Sequence, residues 1–176
     1  VVIKGAILDG SIVHCDLGGD DLTDYLMKIM TERGYSFTTT AERDIVRDIK
    51  EQLGMAVDDA QAALSSDQNF EKHYELPDGQ CVTLGDERFR VNEVWFAPNI
   101  LGKNDCLPLQ SAVAVAVSRA PAAMRASLLS NVMLAGGPAL TPGLKDRLAI
   151  ELNKVLPETL SSCLNIRCFE NSKYAA

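Results

Sequence analysis

The most regular pattern of hydrophobic and polar positions in the chain lies between Gly34 and Leu53. Apolar side chains recur there every four residues, as they do on the buried face of an α-helix. Thr39 and Glu42, just before this run, form the sequence of a capping box, in which each side chain accepts a hydrogen bond from the other residue's backbone N–H. The pattern predicts a capped helix that ends in the charged pair Lys50-Glu51. Its predicted buried stripe is Ala41, Ile45, Ile49 and Leu53.

A second amphipathic helix is predicted directly upstream, from Leu22 to Arg33. Its apolar positions follow the i, i+3, i+4 spacing of one helix face. Asp20 or Asp21 is the predicted N-cap, and Gly34 is predicted to end the helix in a left-handed conformation. The predicted buried face is Leu22, Tyr25, Leu26, Ile29 and Met30.

Turn signals between short apolar runs predict two hairpins. In the first, residues 6–8 and 12–15 flank Asp9-Gly10, a dipeptide typical of tight hairpin turns. In the second, residues 73–76 and 80–85 flank Pro77-Asp78-Gly79, where Pro pre-sets φ and Gly takes a positive φ.

The second half of the chain alternates helical and strand patterns. Residues 107–127 predict two helices broken at Pro121. A strand at 131–135 then runs into Gly136-Gly137, and a helix from Pro142 to Leu156 precedes a last strand at 164–169. A glycine pair between a strand and a helix lets a phosphate group approach the backbone, although such pairs are common and the signal alone is weak.

Composition and charge exclude some classes of function. The 176 residues are 47% hydrophobic and carry a formal net charge of −7, which disfavours a protein that tracks nucleic-acid phosphates. The five cysteines lack metal-ligand spacing and are expected to be reduced thiols of a cytosolic or nuclear protein. No apolar run is long enough to span a bilayer, and no signal peptide is expected.

Several stretches have no periodic explanation, above all Ser36-Phe37-Thr38-Thr39-Thr40. Three segments of the chain are nearly identical to segments of actin: GYSFTTTAERDIVRDIKEQL, DLTDYLMKIMTERG and YELPDGQ. The chain therefore resembles the actin family from about Asp16 to Tyr174, closely in the first half and moderately in the second.

The resemblance implies an α/β fold, namely the larger lobe of the actin-like ATPase (ribonuclease H-like) architecture without the other lobe. Residues 1–17 and 107–176 would form a unit like actin subdomain 3. Residues 18–106 would form an inserted, smaller α/β unit like subdomain 4. The chain starts at Val1 without Met and stops at Ala176 without a terminal signature, as expected for a domain cut at both ends.

In actin, ATP lies with Mg²⁺ in the cleft between the two lobes, and the matching positions here would line its adenine and ribose side. The resemblance implies that the Lys50 stem lies along the adenine and that Glu51 accepts hydrogen bonds from ribose hydroxyls. Gly136 and Gly137 would present backbone N–H groups near the phosphates. The base pocket would be closed by Leu140, Thr141 and Lys173.

The sequence departs from the family at several functional positions. Pro138 stands where actin has Thr, which removes a hydroxyl and an N–H, and Leu140 and Thr141 replace Met and Tyr. The hairpin that holds the β- and γ-phosphates and the metal-holding Asp have no counterpart here. We therefore expect weak or no binding of ATP or ADP by this chain alone, and no hydrolysis.

Three interpretations remain open. The first is a lobe of a cytoskeletal, nucleotide-binding actin-like protein, whose partners are other actin-like subunits or actin-binding proteins rather than nucleic acid or membrane. The second is an actin-related scaffold subunit of a larger cytoplasmic or nuclear complex, such as a chromatin-remodelling or dynactin-like complex. It is favoured by Pro121 and Ala123, which stand where actin has acidic residues that make a filament contact. The third is a sugar-kinase-like enzyme in which residues 16–19 (DLGG) bind phosphate, although Asp20 is a poor neighbour for it and a strand end before a helix cap is the favoured interpretation.

Overall fold

The computed structural model describes residues 1–169, which combine helices with small sheets in an α/β arrangement. The helices are α1 (Gly19–Glu32), α2 (Thr40–Leu53), α3 (Ala60–Ser65), α4 (Glu87–Glu93), α5 (Leu109–Ser118), α6 (Ala122–Leu129), α7 (Leu144–Val155) and α8 (Glu158–Ser161). The strands are β1 (Val2–Ile3), β2 (Ala6–Ile7), β3 (Lys72–Glu75), β4 (Cys81–Leu84), β5 (Val132–Leu134) and β6 (Ile166–Cys168). Short 3₁₀ helices cover Pro98–Leu101 and Gly137–Leu140. The strands pair two by two: β1 with β2 and β3 with β4 antiparallel, and β5 with β6 parallel.

The capping box of α2 is present as predicted. The Thr39 hydroxyl accepts from the Glu42 N–H at 3.2 Å, and the Glu42 carboxylate accepts from the Thr39 N–H at 2.7 Å. The buried stripe is centred one position away from the prediction, because Val46 and Ile49 are fully buried whereas Ala41 is exposed. The helix therefore packs through its middle and leaves its first turn to solvent.

Helices α1 and α2 build the first core cluster together with the β3–β4 hairpin and α4. The end of α1 is held as predicted by Gly34 at φ 92°. The Tyr35 N–H bonds to the Met30 carbonyl and the Gly34 N–H to the Thr31 carbonyl, which is a Schellman motif. The fully buried members of this cluster are Leu22, Leu26, Ile29, Met30, Val46, Ile49, Val82, Leu84, Val91 and Val94.

A second core cluster forms where α7 covers the parallel pair β5–β6. Leu144, Leu148 and Leu152 are its buried helix positions, whereas Val155 is 48% exposed. Trp95 packs against both clusters and is half-buried, while Phe96 lies in the second core. The β5–α7–β6 order is a parallel strand crossover, which brings the turn after β5 to the start of α7.

The first hairpin differs from the sequence prediction. Its turn is Lys4-Gly5, with φ values of 51° and 81°, and it joins β1 to β2. Asp9-Gly10 does form a tight turn, with the Ser11 N–H bonded to the Leu8 carbonyl, but residues 12–15 form no strand. Two consecutive positive φ values fit the right-handed twist of a two-residue hairpin, so the Lys4-Gly5 turn is the one that pairs strands.

Two helix starts also differ. The N-cap of α1 is Gly18, and Asp21 instead accepts from the Gly18 N–H at 2.7 Å as the third residue of the helix. Helix α7 begins at Leu144 after Gly143 at φ 80°, so Pro142 precedes the helix instead of opening it. Helices α5 and α6 are separated at Pro121 as predicted.

Candidate functional site

Lys50, near the end of α2, reaches the first turn of α1. Its Nζ donates to the Gly19 carbonyl at 2.6 Å and to the Thr23 hydroxyl at 2.8 Å. The Thr23 hydroxyl itself donates to the Gly19 carbonyl at 3.1 Å, and Thr23 is fully buried. These bonds hold the Lys50 side chain across the helix start instead of leaving it extended in solvent.

Gly19 is the point where three separate segments meet. A Cβ built on Gly19 would lie 3.5 Å from the Lys50 Nζ and 3.8 Å from Cγ of Pro138. Pro138 belongs to the turn that follows β5, so this turn and the Lys50 ammonium both border Gly19. Lys50 and the turn that contains Gly136 and Gly137 are therefore both neighbours of Gly19, and their shared role in one site stays a prediction.

The turn after β5 has the backbone that a close ligand approach requires. Gly136 adopts φ 94°, which side-chain-bearing residues rarely occupy, and it precedes the 3₁₀ turn. Gly137 is exposed, and a Cβ there would meet open space. The Ala139 N–H closes the turn onto the Gly136 carbonyl at 3.1 Å.

The remaining predicted site residues occupy different positions around this turn. Glu51 is exposed on α2, next to Lys50. Leu140 is 42% exposed at the end of the 3₁₀ turn, and Thr141 is half-buried before α7. Lys173 lies outside the described residues. The turn after β5 thus carries an exposed apolar side chain, Leu140, next to the two glycines in sequence.

Burial lowers the pKa of the Lys50 ammonium, and the neighbouring Glu51 and Asp20 carboxylates partly offset this effect. The desolvation is the larger influence, so a further negative group placed beside Lys50 would restore charge balance. Asp20, however, already contributes negative charge at the same place. The Arg47 and Arg43 guanidiniums act on the Lys50 pKa in the opposite direction to these carboxylates, so the charges around Lys50 partly offset each other.

Two sets of hydrogen bonds in these elements were not predicted from the sequence. The Thr23 hydroxyl is the second anchor of Lys50, at 2.8 Å. Arg147 on α7 bonds bidentately to Glu93 and also to Glu151 and the Val57 carbonyl. Thr23 lies 27 positions from Lys50 and Val57 lies 90 positions from Arg147, so these two contacts have no local signature.

Residues 1–169 contain no helix that is both long and apolar enough to cross a membrane. The His, Cys, Asp and Glu side chains in this range form no group of three or more that could hold a metal ion.

Comparison with known families gives a direct result. The family model for actin matches residues 1–176, which is the whole chain. The matched range includes the helix start at Gly19, the Lys50-Glu51 pair and the Gly136-Gly137 turn. The chain belongs to the actin family.

Proposed function

We propose that the chain contributes the adenine and ribose side of an ATP-binding cleft, as one lobe of an actin-family protein. The observation that carries the proposal is the meeting of Lys50, Gly19 and the turn at Pro138. Lys50 offers an apolar stem and one ammonium, and the turn offers glycine backbone. Base and sugar sites are commonly built from such a mixture of apolar surface and a few fixed polar groups.

The proposed roles divide along the nucleotide. The Lys50 stem packs along the adenine and Glu51 accepts from the ribose hydroxyls. Gly136 and Gly137 present backbone N–H groups toward the phosphates. The base pocket is closed by Leu140, Thr141 and Lys173. Mg²⁺ would reach the site on the phosphates of ATP or ADP, where it neutralises charge.

The residues fit the base and sugar better than the phosphates. Pro138 has no N–H to donate, and Asp20 adds a negative charge beside Lys50. Phosphoryl transfer depends on positioned charges around the γ-phosphate, which the proposed half-site does not supply by itself. We therefore propose that this chain alone binds Mg-ATP weakly and does not hydrolyse it.

The proposal includes an organisation of the lobe. Residues 1–17 and 107–176 would form a subdomain-3-like unit of ribonuclease H-like type, and 18–106 an inserted subdomain-4-like unit. Two hydrophobic clusters support this division. The first is built from residues 22–94, and the second from α7 and β6, with Ala56 and Phe96 of the inserted unit packed into it. The candidate site would then lie where the two units meet, at Gly19 and Pro138.

Calorimetric titration of the chain with Mg-ATP tests the proposed site. We expect a dissociation constant on the order of 1 mM for a half-site, equivalent to about 4 kcal/mol. Lys50→Ala removes both stem and ammonium and should weaken binding by about tenfold or more. Lys50→Met keeps an apolar stem and so retains the contact with the base. Its affinity for Mg-ATP should lie between those of the wild type and Lys50→Ala.

The control for these variants is Lys72→Ala, which removes an exposed lysine of β3, a strand that contains none of the proposed site residues. It should leave the titration unchanged. Circular dichroism of each variant verifies that the fold is retained. Binding that is identical in wild type and Lys50→Ala would contradict the proposed site, and ATP turnover that depends on Lys50 would contradict the proposed inactivity.

A scaffold role is the second candidate, and one observation favours it. Pro121 and Ala123 are both exposed at the start of α6 and carry no charge, where the resembling family has acidic filament contacts. In this alternative the full protein is a non-polymerising subunit of a cytoplasmic or nuclear complex. Under the proposal of an ATP-binding lobe, the partners of the full protein are actin-like subunits of the cytoskeleton. Sedimentation of the full-length protein with actin filaments distinguishes them: pelleting supports the filament role, and a protein that stays in the supernatant supports the scaffold role.

A further inference from the structure

Two loops that are distant in sequence are fastened together before α1. The Lys103 Nζ donates to the Asp16 carbonyl at 2.6 Å and to the Asp21 carboxylate at 2.8 Å. The Cys106 N–H bonds to the Lys103 carbonyl at 3.2 Å and closes a tight turn. The segment that leads into α1 and the segment that leads into α5 therefore cross at Lys103.

A cysteine stands on each side of this crossing. Cys15 immediately precedes Asp16, and Cys106 ends the turn that starts at Lys103. Both are free thiols and both are partly exposed. One cleft is lined by His14 and Asp16, the neighbours of Cys15, and by Cys106, so the two cysteine-bearing segments lie against each other. Two free thiols on adjacent segments that Lys103 fastens together are candidates for a disulfide.

The surroundings give the two thiols different chemistry. A cleft of about 350 Å³ opens beside Cys106 and is lined by His14, Asp16 and Lys103 among others, so a small oxidant can reach it. Cys106 lines this cleft directly, whereas Cys15 is not among its lining residues. Burial, and then the neighbouring Cys106, raise the pKa of the Cys15 thiol. Cys106 is therefore the better placed to react first.

We propose that Cys15 and Cys106 form a redox-responsive pair that closes to an intramolecular disulfide when a hydroperoxide reaches the cleft. The Cys106 thiolate attacks one peroxide oxygen, the O–O bond breaks, and a sulfenic acid forms with release of hydroxide or alkoxide. The Cys15 sulfur then attacks the sulfenic sulfur, the S–O bond breaks, and water leaves with the Cys15 proton. Two electrons pass from the two thiols to the peroxide.

The disulfide would act on the start of α1. It would close a loop of about 90 residues, a length at which a cross-link strongly restricts the unfolded chain. It would also fix covalently a crossing that Lys103 now holds by hydrogen bonds. This inference does not depend on nucleotide binding by the chain.

Oxidation of the intact chain with hydrogen peroxide, at one to a few molar equivalents, tests the pair. We expect a loss of two of the five free thiols in a thiol-reagent titration, which dithiothreitol restores. Peptide mass spectrometry should then find the tryptic fragment 5–28 linked to the fragment 104–119. Cys15→Ser should abolish the link and allow trapping of a sulfenic acid on Cys106 with dimedone.

The matched control is Cys163→Ser, which removes another partly exposed cysteine far from the crossing in sequence. This variant should form the 15–106 link at the wild-type rate. Equal oxidation of all five thiols, a link between another pair, or no link at all in the folded wild-type chain would overturn the proposal. Non-reducing electrophoresis excludes links between two chains as the source of thiol loss.

Discussion

Replacing Arg147 by alanine should destabilise the chain more than the loss of a solvent-exposed ion pair does. Arg147 is 7% exposed and its guanidinium donates to both oxygens of Glu93, at 2.9 and 3.0 Å. It also donates to Glu151 at 2.9 Å and to the Val57 carbonyl at 2.8 Å, and it lies 4.9 Å above the centre of the Phe96 ring. One side chain thus ties α7 to α4 and to the segment after α2.

The size of the destabilisation depends on the Glu93 charge, which stays buried when Arg147 is removed. Glu93 has a side chain that is 14% exposed, and burial already raises its pKa despite the Arg147 charge. Removing one partner of a buried ion pair costs about 3–5 kcal/mol, because the other charge stays buried without compensation. For a chain of this length that corresponds to a fall in Tm of about 6–20 °C. Glu151 is affected less, because Lys154 still donates to it at 2.8 Å.

Thermal and urea unfolding followed by circular dichroism measure this change. Adding Glu93→Gln to the Arg147→Ala variant should restore part of the stability, because a neutral amide needs no countercharge. Arg43→Ala is the control: Arg43 pairs with Asp24 at 2.7 Å, but both side chains face solvent and its loss should cost much less.

The pH dependence gives a second readout. A raised pKa means that folded Glu93 binds its proton more tightly than unfolded Glu93, so stability falls as the pH rises from the ordinary value of about 4.3 through the raised one. Without Arg147 the pKa should rise further, and the deficit relative to wild type should shrink on acidification. A loss of stability below about 1 kcal/mol in Arg147→Ala would refute the reasoning. So would a variant with both Arg147→Ala and Glu93→Gln that is no more stable than Arg147→Ala alone.

Two further predictions concern local structure. Gly143→Ala should destabilise the fold strongly, because Gly143 has a φ of 80° and the new Cβ would lie 2.2 Å from the Ala56 carbonyl oxygen. Gly79 has a similar φ of 83° but open space around it, so Gly79→Ala should cost only about 1 kcal/mol of backbone strain. Thr39→Ala should cost about 1 kcal/mol by removing half of the α2 capping box, measured by urea unfolding. Similar losses of stability in Gly143→Ala and Gly79→Ala would contradict the glycine prediction. A urea midpoint unchanged in Thr39→Ala would contradict the capping prediction.

Sequence patterns predicted those elements whose signals are local. The α2 cap depends on residues three positions apart, and the Pro77-Asp78-Gly79 turn on three consecutive residues, so both could be predicted directly. The prediction of the first hairpin was wrong because two turn signals compete there, and strand pairing occurs around Lys4-Gly5 instead of Asp9-Gly10.

The candidate site could be predicted only in part. The resemblance indicated Lys50 and the Gly136-Gly137 turn, but periodicity alone gave no reason to bring them together. Their junction is made by Gly19, and its second anchor by Thr23, 27 positions before Lys50. Contacts of this range depend on how α1 packs on α2, which the pattern of a single helix does not encode.

An NMR titration of the ¹⁵N-labelled chain with Mg-ATP tests the proposed nucleotide half-site most directly, because it locates the ligand as well as detecting it. We expect the largest amide shifts at Gly19, Lys50, Glu51 and the turn with Gly136 and Gly137, and we expect adenosine alone to shift most of them. Shifts confined to other surfaces, or no shifts at millimolar ATP with the fold intact, would contradict the half-site.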